Sequence, residues 1–254
     1  MEIIGIIAAM PQESQAVLRL IEQRNCSDLG PYRCYHFRLS DRACWLLTSG
    51  MGIVRAAQAT HALVEAASPQ LLVSVGIAGA VNEDLEIGDV IVSRDTCVME
   101  KGLAGPFQPL ARLSEAARQA TERALQPGGA KVYPGIAVST HGGQLAQAEQ
   151  AKLIHPILEM ETMGIAGVAA EKGIPLLSVR SISDGPRAPI PFDLEKMMDE
   201  KDNLRNGEII KTILRHPRML PQLVRMVRNS RKAADNAALA LVAALSQTGP
   251  VIIP

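Results

Sequence analysis

Aromatic residues are scarce in this chain. Phe, Tyr and Trp make up 3% of 254 residues, while hydrophobic residues as a whole make up 47%. A core built from such a chain must be aliphatic and rich in alanine. Charge of either sign is not in excess: 26 basic and 26 acidic residues cancel. That balance removes any global pull toward nucleic acid or an anionic surface. Cysteine is sparse and scattered, at Cys26, Cys34, Cys44 and Cys97, with no C-x-x-C pair and no histidine at metal-ligand spacing. Reduced thiols in a cytoplasmic protein are expected, and neither a disulfide framework nor a metal site is. No cofactor is expected either. No uninterrupted apolar run is long enough to span a bilayer. The apolar N-terminus is short and lacks a basic leader, so it reads as a strand and not as a signal peptide. No repeat or low-complexity linker is visible.

A chain of 27.2 kDa suits one large α/β domain over residues 1–254. Ile3 to Ala9 is a β-branched run that predicts a buried strand. Helical spacing follows from Glu13 to Arg24, at Val17, Leu18 and Ile21. Tyr32 to Leu39 and Ala43 to Thr48 flank a polar turn and predict a hairpin. Gly50-Met51-Gly52 opens a helix through Ala66. Strands are predicted at 71–75, 85–93 and 132–139, and helices at 114–125 and 144–153. Thr96 to Pro109 reads as irregular, a possible pocket wall. Strands and helices alternate, which argues for a layered sheet.

The stretch from Ile157 to Asp184 reads as strand, helix, strand. Met163, Ala166, Gly167, Ala170 and Glu171 fit one helical repeat, with small residues for close packing. Gly173 and Pro175 end that helix. Leu176 to Val179 is a buried strand, and the polar run from Arg180 to Pro186 leaves at its carboxyl end. Open α/β sheets place ligands at such ends. Taken singly, each acid here has an ordinary reading. Asp184 in Ser-Asp-Gly-Pro suits a turn, and Glu13 and Glu161 suit exposed helix-start acids.

Glu159-Met160-Glu161, the small-residue helix and the Ser183-Asp184 strand end resemble the nucleoside phosphorylase and nucleosidase superfamily, which includes the methylthioadenosine/S-adenosylhomocysteine nucleosidases. Four more blocks follow the family order: Gly5 to Met10 with Glu13, Ser49 to Gly52, Val75 to Gly79, and Gly88 to Val92. The resemblance implies a three-layer α/β sandwich with a central mixed, partly barrel-like sheet flanked by helices. It implies cleavage of the N-glycosidic bond of an adenosine-type nucleoside. Such cleavage needs a proton for the leaving base, a nucleophile, and negative charge near the oxocarbenium-like ribosyl. The resemblance makes Asp184 the general acid and Glu13 the activator of water. Glu161 would accept from the ribose hydroxyls, and Met160 would pack on the sugar. Glu159, Ala78, Gly79, Ile77 and Ser183 complete the implied substrate contacts, and Gly50 and Gly52 the water or phosphate site.

Departures bear on the acceptor. Where the superfamily's phosphorylases carry an arginine and a Ser or Thr around the central Val-Gly, this chain has Ser74 and Ile77. Their early glycine loop is replaced by Met10-Pro11-Gln12-Glu13. Both changes favour hydrolysis, although a helix starting at Gly52 could hold phosphate. Gly142-Gly143 stands where the nucleosidases place an aromatic base clamp. His141 is left outside the site.

The C-terminal third resembles the hopanoid-associated nucleoside phosphorylases, which implies a bulky apolar 5′ substituent, as in adenosylhopane. A basic helical extension is expected over about 205–246. Between Ile209 and Lys232 there are seven Lys or Arg and no Asp or Glu. Leu220, Leu223, Val224 and Val227 form a stripe among Arg218, Arg225, Arg228 and Arg231. Two readings fit: a weak peripheral membrane contact, or a last helix packed on the sheet. The family also implies a homo-oligomer, a dimer or larger. The alternatives are a hydrolase of the methylthioadenosine/S-adenosylhomocysteine type and a non-catalytic nucleoside-binding relative. No nucleic-acid partner is expected.

Overall fold

The computed structural model describes residues 1–189 and 220–253. β1 (Ile3–Ala8) leads into α1 (Pro11–Leu18), followed by β2 (Arg24–Leu29), β3 (Tyr32–Leu39) and β4 (Arg42–Thr48). α2 (Ile53–Ala67), β5 (Leu71–Ala80) and β6 (Val90–Glu100) follow, then the short β7 (Leu103–Ala104), β8 (Gln108–Pro109) and β9 (Arg112–Leu113). α3 (Glu115–Leu125), β10 (Val132–Ser139), the single turn α4 (Gln147–Gln150), β11 (Pro156–Glu159), α5 (Thr162–Lys172) and β12 (Leu176–Asp184) complete the first described part. The second holds α6 (Leu220–Leu245) and β13 (Ile252–Ile253).

The main sheet runs β11-β10-β6-β12-β5-β1-β4-β3-β2. β11 also pairs back onto β5, which curls one half of the sheet toward a barrel. β5 is parallel to β1 along Leu71–Val75 and antiparallel to β11 at Gly79 and Ala80. On that edge of β5, Gly76 to Ala78 lie between the ends of β1 and β11. This gap positions the site.

Both faces of the central strands are covered, which is why they are near-continuous apolar runs. On one face α6 lays Ala234, Ala237, Ala238 and Leu241 against Val73, Val75, Leu177 and Val179. On the other, α2 and α5 bring Ala59, Leu63, Ile165 and Ala169 to Ile7, Leu72 and Leu176. The small residues allow close approach. A Cβ on Gly164 would fall 2.1 Å from the Ile53 carbonyl oxygen of α2. Of the repeat read at Met163, Ala166, Gly167, Ala170 and Glu171, only Ala166 is buried, while Gly167, Ala170 and Glu171 are exposed, so the repeat as a whole is not the packing face.

Other boundaries differ from expectation. α1 stops at Leu18, where Arg24 Nη1 turns back to donate to the Leu18 carbonyl at 2.8 Å and to that of Ile21 at 3.2 Å. The polar segment from Arg24 then forms edge strand β2, held by pairing with β3. β6 continues to Glu100, into the segment expected to be irregular, and β7 and β8 within that segment pair back onto β6. The helix expected at 144–153 is one turn only.

α6 divides in two. From Ala233 to Leu245 it is packed on the sheet, α1 and α3. Its first turns stand out, with Val224 62% and Val227 63% exposed beside exposed Arg225 and Arg228. Leu223 is buried. The rest of the expected basic extension, including Arg218, lies outside the described residues. The far end of α6 is tied down by Arg42. Its guanidinium donates to the carbonyls of Leu245 at 2.8 Å, Gln247 at 2.6 Å and Gly249, and to Glu2 at 2.9 Å. Among the described residues no helix is long and apolar enough to cross a membrane.

Candidate active site

Glu13 sits in the first turn of α1, which Pro11 opens. It is 3% exposed. One carboxylate oxygen accepts from the backbone N–H of Ala9 at 2.9 Å and Met10 at 2.8 Å. The other accepts from the N–H of Ile77 at 2.9 Å, in the gap on β5. Burial raises its pKa, against the pull of Arg180 and the three N–H groups. Glu13 is thus a buried, fixed acid and not an exposed helix-start residue.

Arg180 was not among the expected site residues, yet it stands at the centre. It belongs to β12 and is 1% exposed. Nη2 donates to Ser74 Oγ at 2.8 Å, Glu159 Oε2 at 2.9 Å and Thr162 Oγ1 at 3.2 Å. Nη1 donates to Glu161 Oε2 at 3.3 Å and to the Ile77 carbonyl at 3.4 Å. Burial alone would lower its pKa, but the charges of Glu159, Glu161 and Glu13 outweigh that and raise it. The available signal was a cation inside a strand otherwise fit for burial. The Ser74 position, where the phosphorylases carry arginine, receives this guanidinium from a different strand.

Glu161 begins α5. Its Oε1 accepts from Gly52 N–H at 3.2 Å, at the start of α2. Burial pushes its pKa up to about 7; Glu159 and Glu13 add to the rise and Arg180 opposes it. Gly50 and Gly52, with φ of 83° and 103°, make the turn that aims this N–H. Arg55 lies against Gly50: a Cβ there would be 3.1 Å from its Cδ.

Glu159, at the end of β11, is buried among donors. Ser139 Oγ donates to one of its oxygens. The other accepts from Glu161 N–H at 2.9 Å, Thr162 N–H at 2.8 Å, Thr162 Oγ1 at 2.8 Å and Arg180. With its acceptor sites so occupied, Glu159 anchors Arg180 and the first turn of α5. Met160, between the two acids, is half-buried.

Asp184 ends β12, just after a register shift against β5. Ser183 Oγ donates to its Oδ1 at 2.5 Å and lies 3.3 Å from the Ala78 carbonyl. Burial raises the Asp184 pKa, and the Ser183 hydrogen bond opposes the rise. Two glycines of β5 make room for the acids. A Cβ on Gly76 would fall 2.4 Å from Glu13 Oε1 and 2.7 Å from Arg180 Nη1, and one on Gly79 would fall 2.8 Å from Asp184 Oδ2. Glu13, Ile77, Ala78, Gly79, Glu161, Ser183 and Asp184 are therefore brought to one end of β5, with Gly52 linked through Glu161. His141 is exposed beside Gly142 and Gly143. Among the described residues no His, Cys, Asp and Glu side chains are grouped to hold a metal ion.

A 5′-methylthioadenosine/S-adenosylhomocysteine nucleosidase of Haemophilus influenzae (strain PittEE) is 31% identical over 209 residues, covering 75% of this chain and 90% of that protein. The protein of that name from Staphylococcus aureus is 26% identical over 225 residues, 83% of this chain and 98% of that one. Among solved structures, the Neisseria meningitidis nucleosidase of the same name, in complex with methylthio-immucillin-A, superposes with a TM-score of 0.68 at 21% identity, covering 97% of this chain and 99% of that one. Native futalosine hydrolase of Helicobacter pylori gives a TM-score of 0.66 at 20% identity, covering 95% and 96%. These two likenesses establish the fold. The family model for the phosphorylase superfamily matches residues 3–215, and the chain belongs to that superfamily.

Proposed function

We propose that the protein is an enzyme that hydrolyses the N-glycosidic bond of an adenosine-type nucleoside, releasing adenine. The observation that carries this is the pair of acids over Gly76 and Gly79. Glu13 accepts from the Ile77 N–H, and Asp184 is joined through Ser183 to the Ala78 carbonyl, so both acids meet the same short stretch of β5. Asp184, with its raised pKa, protonates the leaving base. Glu13, fixed by three N–H groups, takes the proton of the attacking water. Glu161 meets the ribose hydroxyls, and Met160 packs on the sugar. Three buried carboxylates face one guanidinium, so the site has an excess of acid groups to stabilise an oxocarbenium-like ribosyl.

The same surplus supports water as the acceptor. A phosphate dianion would enter among Glu13, Glu159 and Glu161, with Arg180 already engaged by all three. The N–H that starts α2, a natural anion site, is given to Glu161. The named relatives, nucleosidases and a hydrolase, support the same reading.

The finer reading is a bulky apolar 5′ substituent, adenosylhopane-like, in hopanoid synthesis. It rests on the resemblance of the C-terminal third. The exposed Val224 and Val227 among Arg225 and Arg228 support a weak, peripheral approach to an anionic membrane, worth at best about 1 kcal/mol per basic residue. We also expect a dimer or larger, supported by exposed Val54, Leu103 and Phe107; an active monomer by light scattering would contradict it. The test of function is adenine release from 5′-substituted adenosines, with and without phosphate. Release without phosphate is expected, fastest for large apolar 5′ groups. No release from any purine nucleoside overturns the reading. Sedimentation with anionic but not neutral vesicles, weakened by salt, tests the membrane approach.

A further inference from the structure

Ser93 Oγ, Ser178 Oγ and Arg180 Nε have no hydrogen-bond partner. Their residues are fully buried. They also belong together. Ser178 of β12 is directly opposite Ser93 of β6 and level with Ser74 of β5. Directly paired residues share a face, with Cβ atoms about 4.5–5.5 Å apart. Arg180 is two residues along β12, on that same face. Its Nη2 reaches Ser74 Oγ at 2.8 Å, so the side chain turns back along the serine row. Ser181, another residue with an unpaired hydroxyl, alternates to the opposite face and is not part of this group.

A buried polar atom left unpaired is destabilising, because it has given up its water partners for nothing. Buried polar side chains in native proteins almost all have a protein or water partner. A buried water typically makes about three hydrogen bonds, the number on offer here. We propose that Ser93 and Ser178 hold an internal water that accepts from Arg180 Nε and so fixes the guanidinium beneath the site. They are then positioning residues for the proposed reaction, and the kinetic consequence rests on that reading.

The guanidinium is tied at both forks, but its contact to Glu161 is long, at 3.3 Å. Free to swing about the Cδ–Nε bond, it would lose that contact first. Arg180 lowers the pKa of both Glu13 and Glu161. A loosened Arg180 would therefore let both rise further, and the acid limb of the rate profile would move to higher pH.

The test uses the whole chain and the variants Ser178→Ala, Ser93→Ala, the double variant and Ser178→Thr. High-resolution crystals of the wild type should show water density within hydrogen-bonding distance of all three atoms, lost in the alanine variants. Each alanine should lower kcat for adenine release by about tenfold, with KM little changed and the acid limb shifted upward. The double variant should be no worse than either single one, because one water is lost in each case. Ser178→Thr, which keeps the hydroxyl, should restore the rate and the profile. Absence of the water density overturns the proposal, as do additive losses with an unmoved pH profile. The diffraction result needs no turnover, so a wild type that releases no adenine defeats the nucleosidase reading while the water is still judged on density.

Discussion

Ile77 donates its backbone N–H to Glu13 Oε1 at 2.9 Å, joining groups 64 residues apart in the chain. The bond exists because β1 has ended and β11 pairs only further along β5. An N–H on that edge would otherwise go unpaired. The Glu13 carboxylate satisfies it, and the same contact fixes the acid beside Arg180. Backbone satisfaction and placement of the proposed water activator are one event.

Asp184→Asn should cost about 10²–10⁴ in kcat, the usual worth of general acid–base catalysis. Asparagine keeps an oxygen for Ser183 and the shape of the strand end, so calorimetry should find ligand binding largely retained. Near-normal turnover would move the acid elsewhere.

Glu161→Gln should weaken binding and turnover together, through the ribose hydroxyls. Its effect on stability should run the other way with pH. The folded pKa is raised, to about 7 from an ordinary 4.5. The stabilising contribution of the protonated form is complete below the unfolded value and is lost as pH rises through the folded one. The wild type should therefore lose Tm between about pH 4.5 and 7, and Glu161→Gln should flatten that slope. Activity, which needs ionised Glu13, should rise with pH, with its acid limb above the ordinary carboxylate range because burial raises the Glu13 pKa. A slope unchanged by the substitution would remove Glu161 from the buried cluster.

Arg180→Met should remove activity and destabilise by about 3–5 kcal/mol, because it strands buried carboxylates. The loss of Tm should be greater at pH 8 than at pH 5, where those acids can take up protons. A pH-independent loss would show that packing, and not charge, is what Arg180 supplies.

Arg42→Ala should destabilise without touching chemistry. It leaves the carbonyls of Leu245, Gln247 and Gly249 without their donor, each worth about 1–3 kcal/mol when buried. Lower Tm with unchanged kcat is expected. A fall in kcat at full stability would contradict this purely structural role.

Much of this was legible from residue order. The strand ending at Asp184, the paired acids at Glu159 and Glu161, and the helix opening at Gly52 are local patterns with local causes. What escaped was set by distant partners. Arg180 looked like the start of a polar exit because nothing beside it in sequence shows Ser74, Thr162 and three glutamates converging on it. Glu159 and Glu161 are chemically alike, and only the donors around Glu159 show that it is already engaged. β2 has no periodic apolar pattern and owes its existence to pairing with β3. The helical repeat around Gly167 was real, but the tight packing lies at Gly164, where a carbonyl of α2 approaches.

The central claim is hydrolysis of an adenosine-type nucleoside through Asp184 and Glu13. It is tested most directly by incubating the wild-type protein with 5′-methylthioadenosine in phosphate-free buffer and identifying both products by mass spectrometry. Adenine and the free 5-substituted ribose, at a rate unchanged by added phosphate, are predicted. A sugar 1-phosphate formed only when phosphate is present, or no adenine from this or any larger 5′-substituted adenosine, would contradict the account.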